Sequence, residues 1–484
     1  MKLSQSFLSL ALLVAASSSS LVWSRVLPVE SAPYARDGAG LPALEPRSSA
    51  YLSAAESTLH KRVSRHIRPD GPHPLVRRQA AVDNGGITNF NGSAPQPVRG
   101  SKGAPFLHES NRPIDEQNVD YLSPPPTDAG NIPNLKWTFS LSHSRLLSGG
   151  WVREQTVTDL PSSTGVAAAE QRLAPYAYRE LHWHRVAEWG LVLNGTVRVT
   201  ANDEDNRNYV GDANVGDLWS FPTGVPHTLQ AGPEGAEYLL VFDDGNFDAS
   251  GTTFMLDDWI AHTPRDVLAE NFGWDPSAFS SVPTPDPYIV AAAKNETWLS
   301  LEEARKAVSA NPGGEVDSPY VYALSQQNAT NAPGGGGWFK ITDYKQFPES
   351  PTLASAYVHV EKGGLRELHW HKNAEWGYIV KGKARATAFA GGATARTFEL
   401  QAGDSWVFPT NYGHYIQNIG DGPLEFVEIF RGANFGDKVR FDDFSLTQWL
   451  ALLPASVAAK QLNVSQSLVE QLKREKQVVV AARP

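Results

Sequence analysis

Two sets of residues in this chain have the types and spacing of a metal centre. His182 and His184 stand two apart, Glu188 follows four residues later, and His227 comes from a distant segment; His369, His371, Glu375 and His414 repeat the arrangement. On a β-strand, residues two apart face the same way, so each His-x-His presents two imidazoles together while the tryptophan between them faces away. Three neutral imidazoles and one carboxylate make a strong divalent-metal site. The hard oxygen ligand, with no thiolate available, favours manganese or iron over structural zinc. An octahedral ion held by four protein groups keeps two positions open, for substrate and for oxygen or water. A single histidine is ordinarily a satisfied core or surface residue. Six of the thirteen histidines fall in these two sets, each with a glutamate at the same place, and that number defeats the ordinary explanation.

The elements that must position these ligands are also written twice. RELHWHRVAEW from Arg179 to Trp189 returns as RELHWHKNAEW from Arg366 to Trp376. Gly216, Pro222 and His227 return as Gly403, Pro409 and His414, again at an offset of 187, which Trp151 and Trp338 also keep. Later pairs, Trp259 with Trp449 and Pro264 with Pro454, are 190 apart, so small indels lie between His227 and Trp259 or their counterparts. A register held this long means two copies of one domain. Each copy consists of short segments rich in Val, Thr, Tyr, Phe and Trp, punctuated by Gly, Pro, Asn and Asp as at Asn194-Gly195, which predicts an all-β sandwich or barrel. Helical patterns are confined to the connector beginning near Thr263 and to the tail from Pro454.

The 484 residues, 41% of them hydrophobic, suffice for more than one core, and the net charge of -10 gives no overall basic surface for nucleic acid or an anionic membrane. The first twenty residues have a lysine, an apolar run from Phe7 to Ala16 and small residues after it, the layout of a cleaved secretory signal and too short to span a bilayer. A Ser-, Pro- and Arg-rich stretch to Arg77-Arg78 reads as a propeptide or disordered arm. Asn-x-Ser/Thr triplets at Asn91, Asn194, Asn295, Asn328 and Asn463 fit glycosylation on a secretory route. Cysteine is absent, so packing, strand pairing and metal or oligomer contacts must stabilise the fold.

Gly-x5-His-x-His-x3-Glu and Gly-x5-Pro-x-Gly-x2-His resemble the two motifs of the cupin superfamily, and their doubling resembles a bicupin. The phrases RELHWH, GDLWSFPTGVPH, LLVFDDGNF and DDWIAHTP are similar in particular to oxalate decarboxylases and oxalate oxidases, over roughly residues 100 to 475. The resemblance implies two tandem cupin barrels of double-stranded β-helix or jelly-roll type, with short helices in the connector and at the C-terminus. The expected organisation is a signal peptide at 1–20, a propeptide or disordered arm at 21–78 and an N-terminal arm at 79–136. The first barrel follows at 137–265, the connector at 266–320, the second barrel at 321–453 and a C-terminal helical segment at 454–484. Two departures stand out: Tyr176 where the first motif opens with glycine, and Asn411 in place of the glycine of Pro-x-Gly. Asparagine tolerates left-handed backbone, so that turn is expected to survive.

What the resemblance implies is up to two manganese ions per chain, oxalate as substrate, dioxygen as co-substrate or cofactor, and a trimer or hexamer. Arg179 and Arg366 match the arginine that holds the substrate carboxylate, a task suited to a bidentate guanidinium. Simple alternation puts Glu180 rather than Arg179 on the histidine face, so this role requires a bulge. In the decarboxylases resembled, a lid loop carries a glutamic acid that protonates the one-carbon fragment left after carbon dioxide departs. The lid here reads Asp248-Ala249-Ser250-Gly251, and alanine cannot supply a proton. The favoured reading is therefore a secreted oxalate oxidase yielding carbon dioxide and hydrogen peroxide. The alternative is a decarboxylase yielding formate, with Asp248 or the second-copy Glu428 as acid; the first-copy counterpart of Glu428 is Val241 or Leu240. A non-enzymatic storage-type bicupin is a further alternative, disfavoured because both ligand sets are complete.

Overall fold

The structure, a computed structural model, describes Pro125 and residues 127–483 apart from 248–250, 309–310, 312 and 438–439. The signal, propeptide and most of the N-terminal arm expected from the sequence, with Asn91, lie outside the described residues.

Two all-β barrels follow one another. In the first, the long strands Glu188–Asn202 and His227–Phe242 pair antiparallel and run through the whole sheet, flanked by Leu218–Phe221 on one side and Ala167–Leu173 and Gly150–Gln155 on the other. The second copy breaks the same path into Glu375–Lys381 and Lys383–Ala390, and into Gly413–Asn418 and Leu424–Arg431, which divides its strands between two sheets. The bend falls at Gly195 and Gly382, both with positive φ; a Cβ on Gly195 would lie 2.0 Å from the Gly235 carbonyl oxygen. Helices follow each barrel, Leu256–Ala261 and Arg265–Phe272 after the first, Leu446–Ala451 and Ala455–Leu462 after the second.

Each helical stretch leads into a short strand that returns to the ligand strand of its own barrel: Ile289–Val290 pairs with Tyr178–His184, and Val479–Val480 with Leu365–Trp370. A buried glutamate holds each return. Glu180 accepts from the Tyr288 N–H at 3.0 Å, and Glu367 from the Val478 N–H at 2.9 Å.

Buried apolar residues form one cluster inside each barrel and a third shared between them, with Trp189, Leu191 and Leu239 facing Trp376, Tyr378 and Ile429. Polar atoms inside this shared layer are paired across it: Trp376 Nε1 donates to Gln155 at 2.8 Å and the Tyr378 hydroxyl to Glu170 at 2.6 Å.

Division by sequence position misses one feature. Lys136–Thr138, where the first barrel begins, pairs with Asp404–Phe408 of the second, while Val321–Tyr322, where the second begins, pairs with Leu218–Phe221 of the first. The aspartate of each Gly-Asp pair anchors the exchange. Asp404 takes a buried ion pair from Lys136 at 2.9 Å and a hydrogen bond from Thr138 at 2.7 Å; Asp217 accepts from the Ser325 N–H at 3.1 Å.

Candidate metal centres

In each barrel the structure brings the predicted ligands together. One donor atom from each of His182, His184, Glu188 and His227 lies within 4.8 Å of the others, and the same holds for His369, His371, Glu375 and His414. All eight side chains are buried. Adjacent strands supply them, since His182 stands opposite His227, and His369 opposite His414, in antiparallel register.

The imidazoles are oriented for a cation. Nδ1 of His182, His227, His369 and His414 each faces the carbonyl oxygen of the residue two before it, at 2.6 to 2.9 Å. His371 Nδ1 meets the Asn373 carbonyl and His184 Nδ1 the Thr253 hydroxyl. With Nδ1–H donating outward, the Nε2 lone pairs converge inward. Nε2 of His227, His369 and His414 is buried and finds no hydrogen-bond partner. A buried orphan acceptor is costly unless something fills the position, and a divalent ion answers that cost directly.

Protonation is compatible with this. Burial drives the His182, His369 and His414 imidazoles below their ordinary range, and His184 down to about 4, so they are neutral ligands. Burial pushes the Glu188 and Glu375 carboxyls up, but His227 and His184, and His414 and His371 in the second copy, outweigh it and hold both below the usual carboxylate range. Each carboxylate is shared. Glu188 Oε2 faces His184 at 3.0 Å while Oε1 accepts from Trp219 Nε1 at 2.9 Å; Glu375 does the same with His371 at 3.1 Å and Trp406 at 2.9 Å. Each tryptophan lies flat against a glycine, Gly190 or Gly377, where a Cβ would come within 2.1 Å of the ring.

The bulge required for the arginines is present, between Arg179 and His182 and between Arg366 and His369. Arg179 lines the same cavity as His182, His184 and Glu188, together with Leu240, Phe242, Phe247 and Tyr288, and Glu180 turns away to its backbone partners. Arg366 is fully buried and donates to Glu428 at 3.2 Å and to Asp443 at 2.5 Å. One guanidinium cannot satisfy both carboxylates equally. Asp443 has Lys476 at 2.8 Å as well, and although burial works against it, the two cations hold it below its ordinary range. Burial lifts Glu428 to about 8 against the pull of Arg366, with Glu375 and Asp443 adding to the rise, so Glu428 is the partner that keeps its proton. The second centre adjoins a cavity of about 920 Å³ lined by His371, Asn373, Asp443 and Lys476 among others.

Register resolves the counterpart of Glu428. Glu428 stands opposite Ala356 and Gly377, and their first-copy equivalents Ala169 and Gly190 stand opposite Leu240. Leu240 and not Val241 is the match, which places a one-residue insertion in the second copy, between His414 and Glu428.

The lid residues Asp248, Ala249 and Ser250 lie outside the described residues; Gly251 is exposed, with φ +82°. The two departures from motif glycine keep the turn: Tyr176 has φ +62° and Asn411 φ +65°. Sequence reasoning missed Trp219 and Trp406, although they sit inside the repeated Gly-Asp phrases. It also missed Tyr288, which had no signal because the second copy carries Val478 there.

A family model described as cupin matches residues 141–279 and 322–470. The chain is 46% identical over 387 residues to the oxalate decarboxylase OxdC of Bacillus subtilis, covering 80% of this chain and 97% of that protein. It is 39% identical over 433 residues to an oxalate decarboxylase of Arthroderma benhamiae, covering 84% and 98%. A solved structure of the Bacillus subtilis enzyme, described by its Mn(II) centres, superposes with a TM-score of 0.73 at 45% identity over 80% of this chain and 100% of that one. Duplicated barrels, paired three-histidine, one-glutamate centres and these likenesses agree, and the chain belongs to the cupin family as a bicupin of the oxalate decarboxylase and oxalate oxidase group.

Proposed function

We propose that this chain is a manganese-dependent oxalate-degrading enzyme and that it acts as a decarboxylase, releasing formate and carbon dioxide. The observation that carries the first part is the convergence of unpartnered imidazole nitrogens and a carboxylate beside a buried arginine. His182, His184, Glu188 and His227, and their second-copy equivalents, would hold the ion. Bound manganese supplies Lewis-acid polarisation and one-electron chemistry. The remaining tasks fall to the chain. Arg179 or Arg366 grips one carboxylate of oxalate through parallel N–H bonds, and the apolar walls from Leu240, Phe242 and Phe247 keep water from the first centre.

Two observations support formate as product, against the oxidase favoured from the lid sequence. The relatives are named decarboxylases. Glu428, a fully buried carboxyl whose proton affinity burial raises, is an acid placed to protonate carbon at the second centre. A second reading rests on Ala249 and Leu240, neither of which can deliver a proton at the first centre; if turnover is confined there and Asp248 does not serve as the acid, peroxide and carbon dioxide result. The test measures formate, peroxide and oxygen uptake together during oxalate consumption by manganese-loaded protein. One formate per oxalate without peroxide is expected, and stoichiometric peroxide without formate refutes decarboxylation.

Secretion and self-association belong to the same proposal. Asn194, Asn295, Asn328 and Asn463 are all exposed, which leaves them open to glycosylation. Trp259 and Trp449, equivalent in the two copies, are 64% and 52% exposed on the helical segments and suit contact with further copies of the chain. Among the described residues no helix is long and apolar enough to cross a membrane. Peptide mapping after glycosidase treatment, and light scattering on the purified protein, test these two points.

A further inference from the structure

The two centres share their ligands but hold their arginines in different ways, and the difference lies in residues outside the repeated phrases. At the first centre the Arg179 guanidinium lies 3.5 Å from the centroid of the Tyr288 ring, and its Nη1 donates to the Tyr288 carbonyl at 2.8 Å. Met255 Sδ at 3.6 Å completes its contacts, and among the described residues no carboxylate pairs with it. Tyr288 is itself fixed in place. Its N–H is held by Glu180, its far face is covered by Arg145 at 4.3 Å, and its φ of +59° is one that a residue with a Cβ keeps only when its surroundings enforce it. At the second centre Val478 has the same φ of +59° and the equivalent glutamate partner, Glu367, and the ring against Arg366 comes instead from Phe441, at 4.3 Å, so what separates the two arginines is the carboxyl groups beside Arg366. There Arg366 is ion-paired with Asp443 and hydrogen-bonded to Glu428.

We infer that Tyr288 is a positioning residue, aiming Arg179 at a substrate carboxylate by supporting the guanidinium without neutralising it. This rests on the proposed oxalate reading of the site. A carboxylate partner also fixes a guanidinium, but it offsets the charge that a dianionic substrate needs, although Arg366 keeps Nη1 without a partner. A ring face, a carbonyl oxygen and a thioether fix the plane and leave the positive charge with no carboxylate to offset it. Two centres with identical metal ligands therefore differ in how readily they seat oxalate, and position 288 against positions 428 and 443 encodes the difference.

The test is steady-state oxalate degradation by the manganese-loaded full chain, with manganese content measured beside it. Tyr288→Phe keeps the ring and is expected to leave KM within about twofold of the parent. Tyr288→Leu removes it and is expected to raise KM about tenfold, with kcat much less affected and manganese content unchanged. An unchanged KM in Tyr288→Leu overturns the inference, and so does a Tyr288→Phe variant as defective as Tyr288→Leu. Should the leucine variant fail to fold, Tyr288→Met refills the space without a ring and is judged by the same criteria. Arg179→Ala separates the inference from the reading beneath it. An unchanged KM there, with oxalate still consumed, takes the first centre out of turnover and refutes the role of Tyr288 while the oxalate reading stands. No oxalate consumption by the parent refutes that reading itself, and a raised KM beside an unaffected Tyr288→Leu refutes the role of Tyr288 alone.

Discussion

Trp219→Phe removes the indole N–H and should weaken one metal site preferentially. Trp219 Nε1 donates to Glu188 Oε1 at 2.9 Å while the other carboxylate oxygen faces His184 and His227. That donor fixes which oxygen points at the ion, and without it Oε1 is a buried charged acceptor with nothing to accept from. A hydrogen bond to a charged group is worth about 1.5–3 kcal/mol, which corresponds to roughly 10- to 150-fold in affinity. Loss of an outer-shell partner elsewhere typically costs a metal site about 10–100-fold, in the same range. The fully buried indole is replaced by a smaller ring, so some loss of stability is expected as well, and Trp406→Phe, which loses the same volume at the other centre, is the control. Manganese binding to the metal-stripped protein, followed by chelator competition, should resolve one weakened and one unaltered site in Trp219→Phe. Trp406→Phe should weaken the other, through Glu375. Parent affinity at both sites in either variant, or equal weakening of both sites by a single substitution, would refute the assignment of these tryptophans.

Three further expectations follow from the same geometry. His182→Ala should lower manganese content from two ions per chain to one, measured by elemental analysis of purified protein. Lys136→Ala leaves the fully buried Asp404 without its cation and should cost about 3–5 kcal/mol of stability, read from urea unfolding. In metal-free protein the raised Glu428 pKa means that the folded state binds the extra proton, so its contribution is full below about pH 4.5 and lost as pH rises through about 8. Melting temperatures of Glu428→Gln relative to parent should therefore rise between pH 5 and pH 8, and a pH-independent difference contradicts the assignment of the proton to Glu428.

Much of the site was legible because its constraints are local and repeated. His182 and His184 are visible from a spacing of two, and the duplication identifies Glu188 and His227 by their constant offset. The bulge before His182 was deducible too, since strict alternation and a substrate arginine at position 179 are incompatible. What escaped depends on pairing between distant segments. Nothing near Tyr288 in sequence says that its ring will lie on Arg179, because the contact spans the entire helical excursion between Phe254 and Ile289. Leu240 could be separated from Val241 only by knowing which residue stands opposite Gly190. The preference for an oxidase weighed one loop position against a buried acid whose proton affinity only the packed second barrel reveals.

The exchange of Lys136–Thr138 and Val321–Tyr322 makes the domains inseparable in a way that their tandem order conceals. Cutting the gene near residue 320 would give a first half missing the strand beside Leu218–Phe221 and a second half missing the strand beside Asp404–Phe408. Each fragment would carry an open sheet edge, a template for clumping rather than a free-standing module. The same clasp couples the halves in denaturation, so the chain should melt in one transition despite having two cores. Duplicated enzymes commonly evolve by letting one copy drift. Here each copy lends the other a strand, so drift in one is checked by the needs of its neighbour.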